Sequence, residues 1–301
     1  MPSQQGAIRL FRLAGIDVFL HWSWFVVALF EFQVRGEEYS SPLWNALEYL
    51  TLFAIVTLHE FGHSLACRQV GGSAERIVLW PLGGVAYVAP PQRPGATLWS
   101  LAAGPLVNVA LVPVLLGIGW LGGSLGWPQA HPNLAALLLA VFRMNLGLLI
   151  FNLLPVYPLD GGQILRSLLW FGLGRARSLM IATLFGFLGV AALGWLALQW
   201  QSVWIGIMAA FVAINCWSGF QQARLLSKVA KVERRHGFAC PSCGSEPPLG
   251  DVWGCARCGQ GFDVFEFDAR CPACGESFGG ARCIDCNRLY PLAEWARPPG
   301  P

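Results

Sequence analysis

Thr51-Leu52-Phe53-Ala54-Ile55-Val56-Thr57-Leu58-His59-Glu60-Phe61-Gly62-His63-Ser64-Leu65-Ala66-Cys67-Arg68 places two histidines and a glutamate at the end of an apolar run with no charged residue from Tyr49 to Leu58. Such a run reads as a membrane-crossing helix. Residues four apart share one face of a helix, so His59 and His63 can both reach one divalent zinc, and Glu60 between them is placed as a general base. An HExxH match alone occurs by chance in many soluble helices. Ionisable groups are costly in hydrocarbon and are kept there mainly for function, so the apolar setting favours a metal-hydrolase site over a solvated polar face.

The rest of the composition extends this reading to the whole chain. Of 301 residues, 55% are hydrophobic and 12% charged, with 14 Trp and 19 Phe, the profile of an α-helical polytopic membrane protein. Residues 94–142 and 178–223 contain no Asp, Glu, Lys or Arg, and each stretch is long enough for two helices of about 20 residues. The first hairpin breaks at Gly122-Gly123-Ser124-Leu125-Gly126-Trp127-Pro128 and the second near Gln199-Trp200-Gln201-Ser202. Six spans are expected, near residues 18–34, 45–67, 97–119, 133–154, 179–199 and 203–223.

Arg9 and Arg12 are followed by no long apolar segment with a small-residue cleavage site, so the N-terminus reads as a mature cytosolic end. Basic residues then cluster on alternate loops: Arg68, Arg76 and Arg93; Arg175 and Arg177; Lys228, Lys231, Arg234 and Arg235. The opposite loops hold only Arg35, offset by Glu37 and Glu38. By the positive-inside rule both termini are cytosolic in a multi-pass cell-membrane protein. The formal net charge of +3 is accounted for by topology, and no nucleic-acid partner is expected.

From Cys240 onward the apolar runs stop and four CxxC pairs appear: Cys240/Cys243, Cys255/Cys258, Cys271/Cys274 and Cys283/Cys286. We therefore divide the chain into a membrane domain over 1–227, a basic linker over 228–238 and a small cytosolic zinc-ribbon-like domain and tail over 239–301. Gly244, Gly259 and Gly275 follow three of the pairs, where a turn with positive φ would turn backbone N–H groups toward the sulfurs. In a reducing cytosol two structural four-cysteine zinc sites are the expected use, not disulfides. Sequential pairing would join the first two pairs and the last two, and an interleaved arrangement is equally permitted by spacing. Cys67 and Cys216 lie in apolar helices and read as small buried hydrophobes. Residues 240–298 hold eight acidic and five basic side chains, which disfavours phosphate and favours a protein contact or regulatory partner at the tail.

A catalytic zinc takes three protein ligands, so HExxH needs a third. Asp17, Glu31, Glu48, Asp160 and His21 lie near spans. Of these, Asp160 sits in Asn152-Leu153-Leu154-Pro155-Val156-Tyr157-Pro158-Leu159-Asp160-Gly161-Gly162, where two prolines and two glycines interrupt a helix at membrane depth. Such a break is tolerated only against protein or a wet cavity, and a carboxylate there can turn toward the metal. Residues 76–88 read as two short β segments around Gly83-Gly84, with Pro81 at an edge position. Asn108 reads as an interhelical hydrogen-bonding residue, His21 as an interface histidine, and Arg143 as a lone charge in the fourth span facing a carbonyl or a wet cavity.

Together, HExxH on the second span, the Asn152–Gly162 stretch, Gly15-Ile16-Asp17-Val18 leading to His21-Trp22, Pro81-Leu82-Gly83-Gly84-Val85 and Ala103-Gly104-Pro105-Leu106-Val107-Asn108 resemble the site-2 protease family of intramembrane zinc metalloproteases. The resemblance covers about residues 8–225. It implies zinc held by His59, His63 and Asp160, Glu60 as general base, Asn152 near the scissile carbonyl, and a transmembrane protein substrate cleaved within the lipid bilayer. With the tail, the expected cofactors are one catalytic and two structural zinc ions. The cysteine-rich tail departs from the many relatives with this topology that carry a nucleotide-sensing pair of modules there. A metal-transit site could use the same three ligands but would not need Glu60.

Overall fold

The computed structural model describes residues 6–26, 39–80, 83–286 and 288–295. They fall into two compact units, one of Met1–Phe171 with Ile181–Cys216, the other of Gly172–Met180 with Trp217–Pro301.

The first unit begins with a four-stranded sheet in the order β1-β2-β3-β4: β1 is Ala7–Leu13, β2 Ile16–His21, β3 Ser73–Trp80 and β4 Gly83–Ala89. Strands β1 and β2 form an antiparallel hairpin, as do β3 and β4, while β2 and β3 run parallel with Val18 opposite Ile77. Parallel neighbours need a crossover, and here the connection includes α1, Pro42–Gln69, which carries HExxH. Ile16, Val18, Ile77 and Leu79 bury against Val56 and Phe61 of that helix. The sheet is thus laid along the helix that carries HExxH. Residues 76–88 were expected to be strands. Residues 18–21, expected to open the first span, are instead the end of β2, because an apolar run this short serves either element and here finds strand partners on both sides. Residues 23–26 are helical. The remainder of that expected span, with Glu31, Arg35, Glu37 and Glu38, lies outside the described residues, as does Pro81.

Among the described residues five helices are long and apolar enough to cross a membrane: α1, α2 (Pro94–Ser124), α4 (Pro132–Leu153), α5 (Asp160–Gln199) and α6 (Val203–Val229), with the short α3, Trp127–Ala130, between the second and third. This is a multi-pass membrane protein. Pro42, Pro94 and Pro132 each open a helix, where a missing N–H costs nothing, and Ser41 Oγ caps α1 by accepting from Leu43 N at 3.4 Å. The break between α4 and α5 was legible from its prolines; the second one, inside α5, is not. There Gly174 takes φ 75° and ψ 169°, so α5 is two helical pieces. Helices α1 and α2 approach closely at Gly62, where a Cβ would stand 2.7 Å from the Ala103 carbonyl oxygen. Arg143 is exposed on α4.

The second unit holds two minimal hairpins, β5/β6 (Trp253–Gly254 with Gly261–Phe262) and β7/β8 (Ala281–Arg282 with Leu289–Tyr290), and a final turn of helix, α7, Leu292–Trp295. Its core is Phe262, Val264, Ala281 and Trp295 among the cysteines. Residues expected to be linker contribute to it: Arg235 N donates to the Pro247 carbonyl at 2.7 Å and Leu249 N to the Glu233 carbonyl at 2.8 Å. Asp263, 1% exposed, accepts from Arg235 Nη2 at 2.7 Å, Gly250 N at 2.8 Å and Phe265 N at 2.9 Å. Arg175, next to the break in α5, donates to the Asp285 carbonyl at 2.7 Å.

Candidate active site and metal centres

His59 and His63 leave α1 on one face and meet Asp160, the first residue of α5. His59 Nε2 lies 3.0 Å from Asp160 Oδ2, His63 Nε2 lies 3.2 Å from the same oxygen, and the two Nε2 atoms are 3.1 Å apart. Ligands held at about 2.0–2.1 Å in tetrahedral geometry stand about 3.3 Å from one another. The three atoms form nearly such a face, so the donor set fits zinc and leaves one vertex for a non-protein ligand.

Glu31 lies outside the described residues, and the other residues near spans are engaged elsewhere. Asp17 pairs with Arg9 at 2.6 Å, and Glu48, buried, accepts from Tyr39 Oη at 2.6 Å. His21 stacks on Trp80 with centroids 3.9 Å apart and meets Ser23 Oγ through Nδ1 at 2.5 Å.

Each histidine is held from behind through Nδ1. His63 Nδ1 faces the Ser100 carbonyl oxygen at 2.8 Å, and His59 Nδ1 faces Asn108 Oδ1 at 2.6 Å. Asn108 in turn donates through Nδ2 to Asn145 Oδ1 at 2.8 Å. Asn108, read from sequence as a link between helices, is therefore also a partner of the candidate ligand His59. Ser100 and Asn145 were not singled out. Asn145 is a polar amide at helical spacing in an apolar span, which is the signal that could have drawn attention to it. Ser100 acts through its backbone, which no sequence pattern reveals.

Glu60 lies beside this centre and faces the sheet. Its Oε2 accepts from Ala86 N of β4 at 2.9 Å, and the carboxylate lies so close to Gly84 that a Cβ there would overlap it. A Cβ on Gly104 of α2 would stand 2.8 Å from His59 Nε2 and overlap the His63 ring. The centre is thus walled by backbone at two glycines. Asn152 lies in the last turn of α4, half-buried, with the 154–159 loop between it and Asp160.

The tail cysteines assemble into two quartets, Cys240, Cys243, Cys283, Cys286 and Cys255, Cys258, Cys271, Cys274. Sequential pairing of neighbouring CxxC motifs is not what the fold adopts: the inner two pairs close on each other, and the outer two close around them. Hairpin β5/β6 flanks the Cys255/Cys258 knuckle, on which Cys271/Cys274 closes, and β7/β8 flanks the Cys283/Cys286 knuckle, on which Cys240/Cys243 closes. Sγ–Sγ distances across the pairs are 3.5 and 3.7 Å in the outer quartet and 3.6 and 3.6 Å in the inner. Four thiolates at about 2.3 Å from a tetrahedral zinc stand about 3.8 Å apart, whereas a disulfide is about 2.05 Å. The quartets fit the metal. Gly244, Gly259 and Gly275 take φ of 72°, 76° and 71°, and each donates its N–H to the first cysteine's carbonyl in the knuckle. Cys67 is fully buried, as is Cys216, whose Sγ meets the Tyr157 carbonyl at 2.9 Å.

Comparison with known proteins agrees with this geometry. The family model of Peptidase family M50 matches residues 48–123 and 124–196. A zinc metalloprotease of Methanocaldococcus jannaschii is 32% identical over 229 residues, covering 75% of this chain and 62% of the relative. The solved structure of a site-2 protease from Methanocaldococcus jannaschii superposes with a TM-score of 0.50 at 28% identity, covering 71% of this chain and 95% of that one. The chain spans about half to two thirds of the length of the curated relatives it matches.

Proposed function

The chain belongs to peptidase family M50, the site-2 protease family, and from that premise we propose that it is an intramembrane zinc endopeptidase hydrolysing peptide bonds in or near transmembrane segments of other membrane proteins. The observation that carries this reading is the meeting of His59, His63 and Asp160 with Glu60 beside them, inside an apolar helix bundle. A zinc ion bound there would supply a Lewis acid that acidifies water and polarises a carbonyl.

The chain's own groups do the rest. Glu60 accepts the proton of the attacking water and returns it to the leaving amine. The Ala86 N–H holds one carboxylate oxygen in place, so the other is left for proton transfer. Asn152 donates to the developing oxyanion. A helical substrate must unwind before its carbonyl is reachable, and β4, an edge of the sheet among the described residues, offers a template on which the unwound segment adds as a strand. Ala86 ties that edge directly to Glu60.

The apolar stretches support six spans and the charge pattern supports cytosolic termini; with Arg68 at the cytosolic end of α1, the metal would lie about 13 Å below that surface, nine residues at 1.5 Å each. The proposed functional division is a protease domain over 1–227, a joining segment over 228–238 and a cytosolic metal module over 239–301 that receives a protein regulator. One zinc per cluster gives three per chain.

Glu60→Gln tests the mechanism. It should leave zinc content unchanged and lower cleavage of a model membrane substrate by about 10²–10⁴-fold, the usual contribution of a general base. Unchanged cleavage would overturn the peptidase mechanism, and membrane proteins that accumulate uncleaved in cells carrying the variant would be the substrates. Proline substitutions along β4 that leave the protein folded should abolish cleavage if the substrate adds as a strand.

A further inference from the structure

Asn108 and Asn145 are both completely buried, on α2 and α4, and their amides are joined head to tail. Asn145 Nδ2 donates to the Asn108 backbone carbonyl at 3.0 Å; Asn108 Nδ2 donates to Asn145 Oδ1 at 2.8 Å; Asn108 Oδ1 faces His59 Nδ1 at 2.6 Å. A side-chain amide can be turned either way round, and an imidazole can carry its proton on either nitrogen. A backbone carbonyl has no such freedom, because it only accepts. Fixing Asn145 against that carbonyl directs its oxygen to Asn108, which must then answer with its NH₂. That leaves only the Asn108 oxygen for His59, so His59 must carry its proton on Nδ1 and present the Nε2 lone pair toward Asp160 and His63. Reversing either amide would set two acceptors or two donors against each other at buried, apolar depth, where an unsatisfied polar group is costly.

We propose that Asn145 and Asn108 are positioning residues: a two-amide relay that reads its polarity from the Asn108 carbonyl and locks His59 in its zinc-binding tautomer. The relay rests on the metal-centre reading above. It is a different claim from interhelical adhesion, because adhesion needs the two amides to bond and is indifferent to which way round they point. His63 obtains the same result more simply, from the Ser100 carbonyl at 2.8 Å. The two ligands thus draw on one kind of reference, a carbonyl of α2, one directly and one through two side chains.

The test measures zinc affinity of the full-length protein in detergent by chelator competition, with His63→Ala as the blank for zinc held by the tail, so that it does not depend on cleavage. Asn108→Leu should weaken the membrane zinc site 10–100-fold, the usual cost of losing a partner behind a ligand, and Asn145→Leu about tenfold. Asn108→Asp should hold zinc within about threefold of the native chain: as the buried neutral acid its hydroxyl donates to Asn145 Oδ1 while its carbonyl accepts from His59 Nδ1, and without Asn145 either oxygen of the carboxylate accepts from His59 Nδ1 and needs no orienting. With Asn108→Asp in place, adding Asn145→Leu should therefore cause no further loss. Equal weakening by Asn145→Leu in both backgrounds, or an Asn108→Asp as weak as Asn108→Leu, would overturn the relay in favour of plain helix adhesion. Should the leucine variants fail to fold, Asn145→Asp serves, because its buried neutral carboxyl keeps one donor and one acceptor: zinc held within about threefold supports the relay, and a tenfold loss overturns it. Failure here with Glu60→Gln still inactive would remove the relay and leave the peptidase standing.

Discussion

The membrane centre and the tail quartets would hold a metal in opposite ways. The tail surrounds each site with four thiolates from local knuckles, closing every vertex, which is the arrangement of a structural zinc. The membrane centre draws two ligands from α1 and one from α5, 97 residues beyond His63, and leaves a vertex free. Its ligands need outside support, from the Ser100 carbonyl and the Asn108–Asn145 pair, because no knuckle turn organises them. The difference teaches that a site kept open for chemistry must be held rigid by its second layer of contacts, whereas a closed one holds itself.

The strongest way to break the comparison is His63→Ala. Metal analysis of the purified chain should fall from three zinc ions to two, one per remaining cluster, with cleavage lost entirely; three ions retained would mean that the membrane cluster is not a metal site. Next comes Gly84→Ala, whose Cβ must displace the Glu60 carboxylate. Cleavage should fall about 100-fold, the scale of a misplaced catalytic group, with zinc content intact, and a variant at native rate would show that Glu60 needs no fixed seat. In the tail, Asp263→Ala removes the acceptor of three hydrogen bonds and strands Arg235. It should destabilise that unit by about 3 kcal/mol, seen as earlier chemical denaturation by tail tryptophan fluorescence. The smallest effect concerns nesting. Cys258→Ser should remove the inner zinc and weaken the outer one only two- to fivefold, since losing the inner closure lengthens the loop the outer site must close, a logarithmic penalty. Cys286→Ser should leave the inner affinity unchanged, and symmetric coupling would contradict the nested path.

Much of the membrane centre was legible because its chemistry is carried by side chains at helical spacing or beside prolines. HExxH and Asp160 announce themselves in this way, and the helix breaks near residues 122–128 and 199–202 are written in Gly, Pro and Trp. What the sequence hid depends on pairing across the chain. Ile16-Asp17-Val18-Phe19-Leu20-His21 could begin a helix or be a strand, and only its neighbours β1 and β3 decide. The partition of eight equivalent cysteines depends on which knuckles the folded chain path brings together, and CxxC spacing is the same in every arrangement. Ala86 and Ser100 contribute backbone groups, to which residue identity gives no clue. The break at Gly174 was equally hidden, since an isolated glycine in a helical pattern is usually tolerated.

The nesting of the quartets also sets an order in time. Cys255 and Cys274 are 19 residues apart, whereas Cys240 and Cys286 are 46 apart. A ribosome making this chain delivers the last inner thiol, Cys274, before either Cys283 or Cys286, so the inner quartet is the first that can fill. The outer quartet closes only after the remaining pair emerges, and it closes around a core that is already pinned. Two sites of the same chemistry are thereby given a sequence of assembly by nothing more than where their ligands fall along the chain.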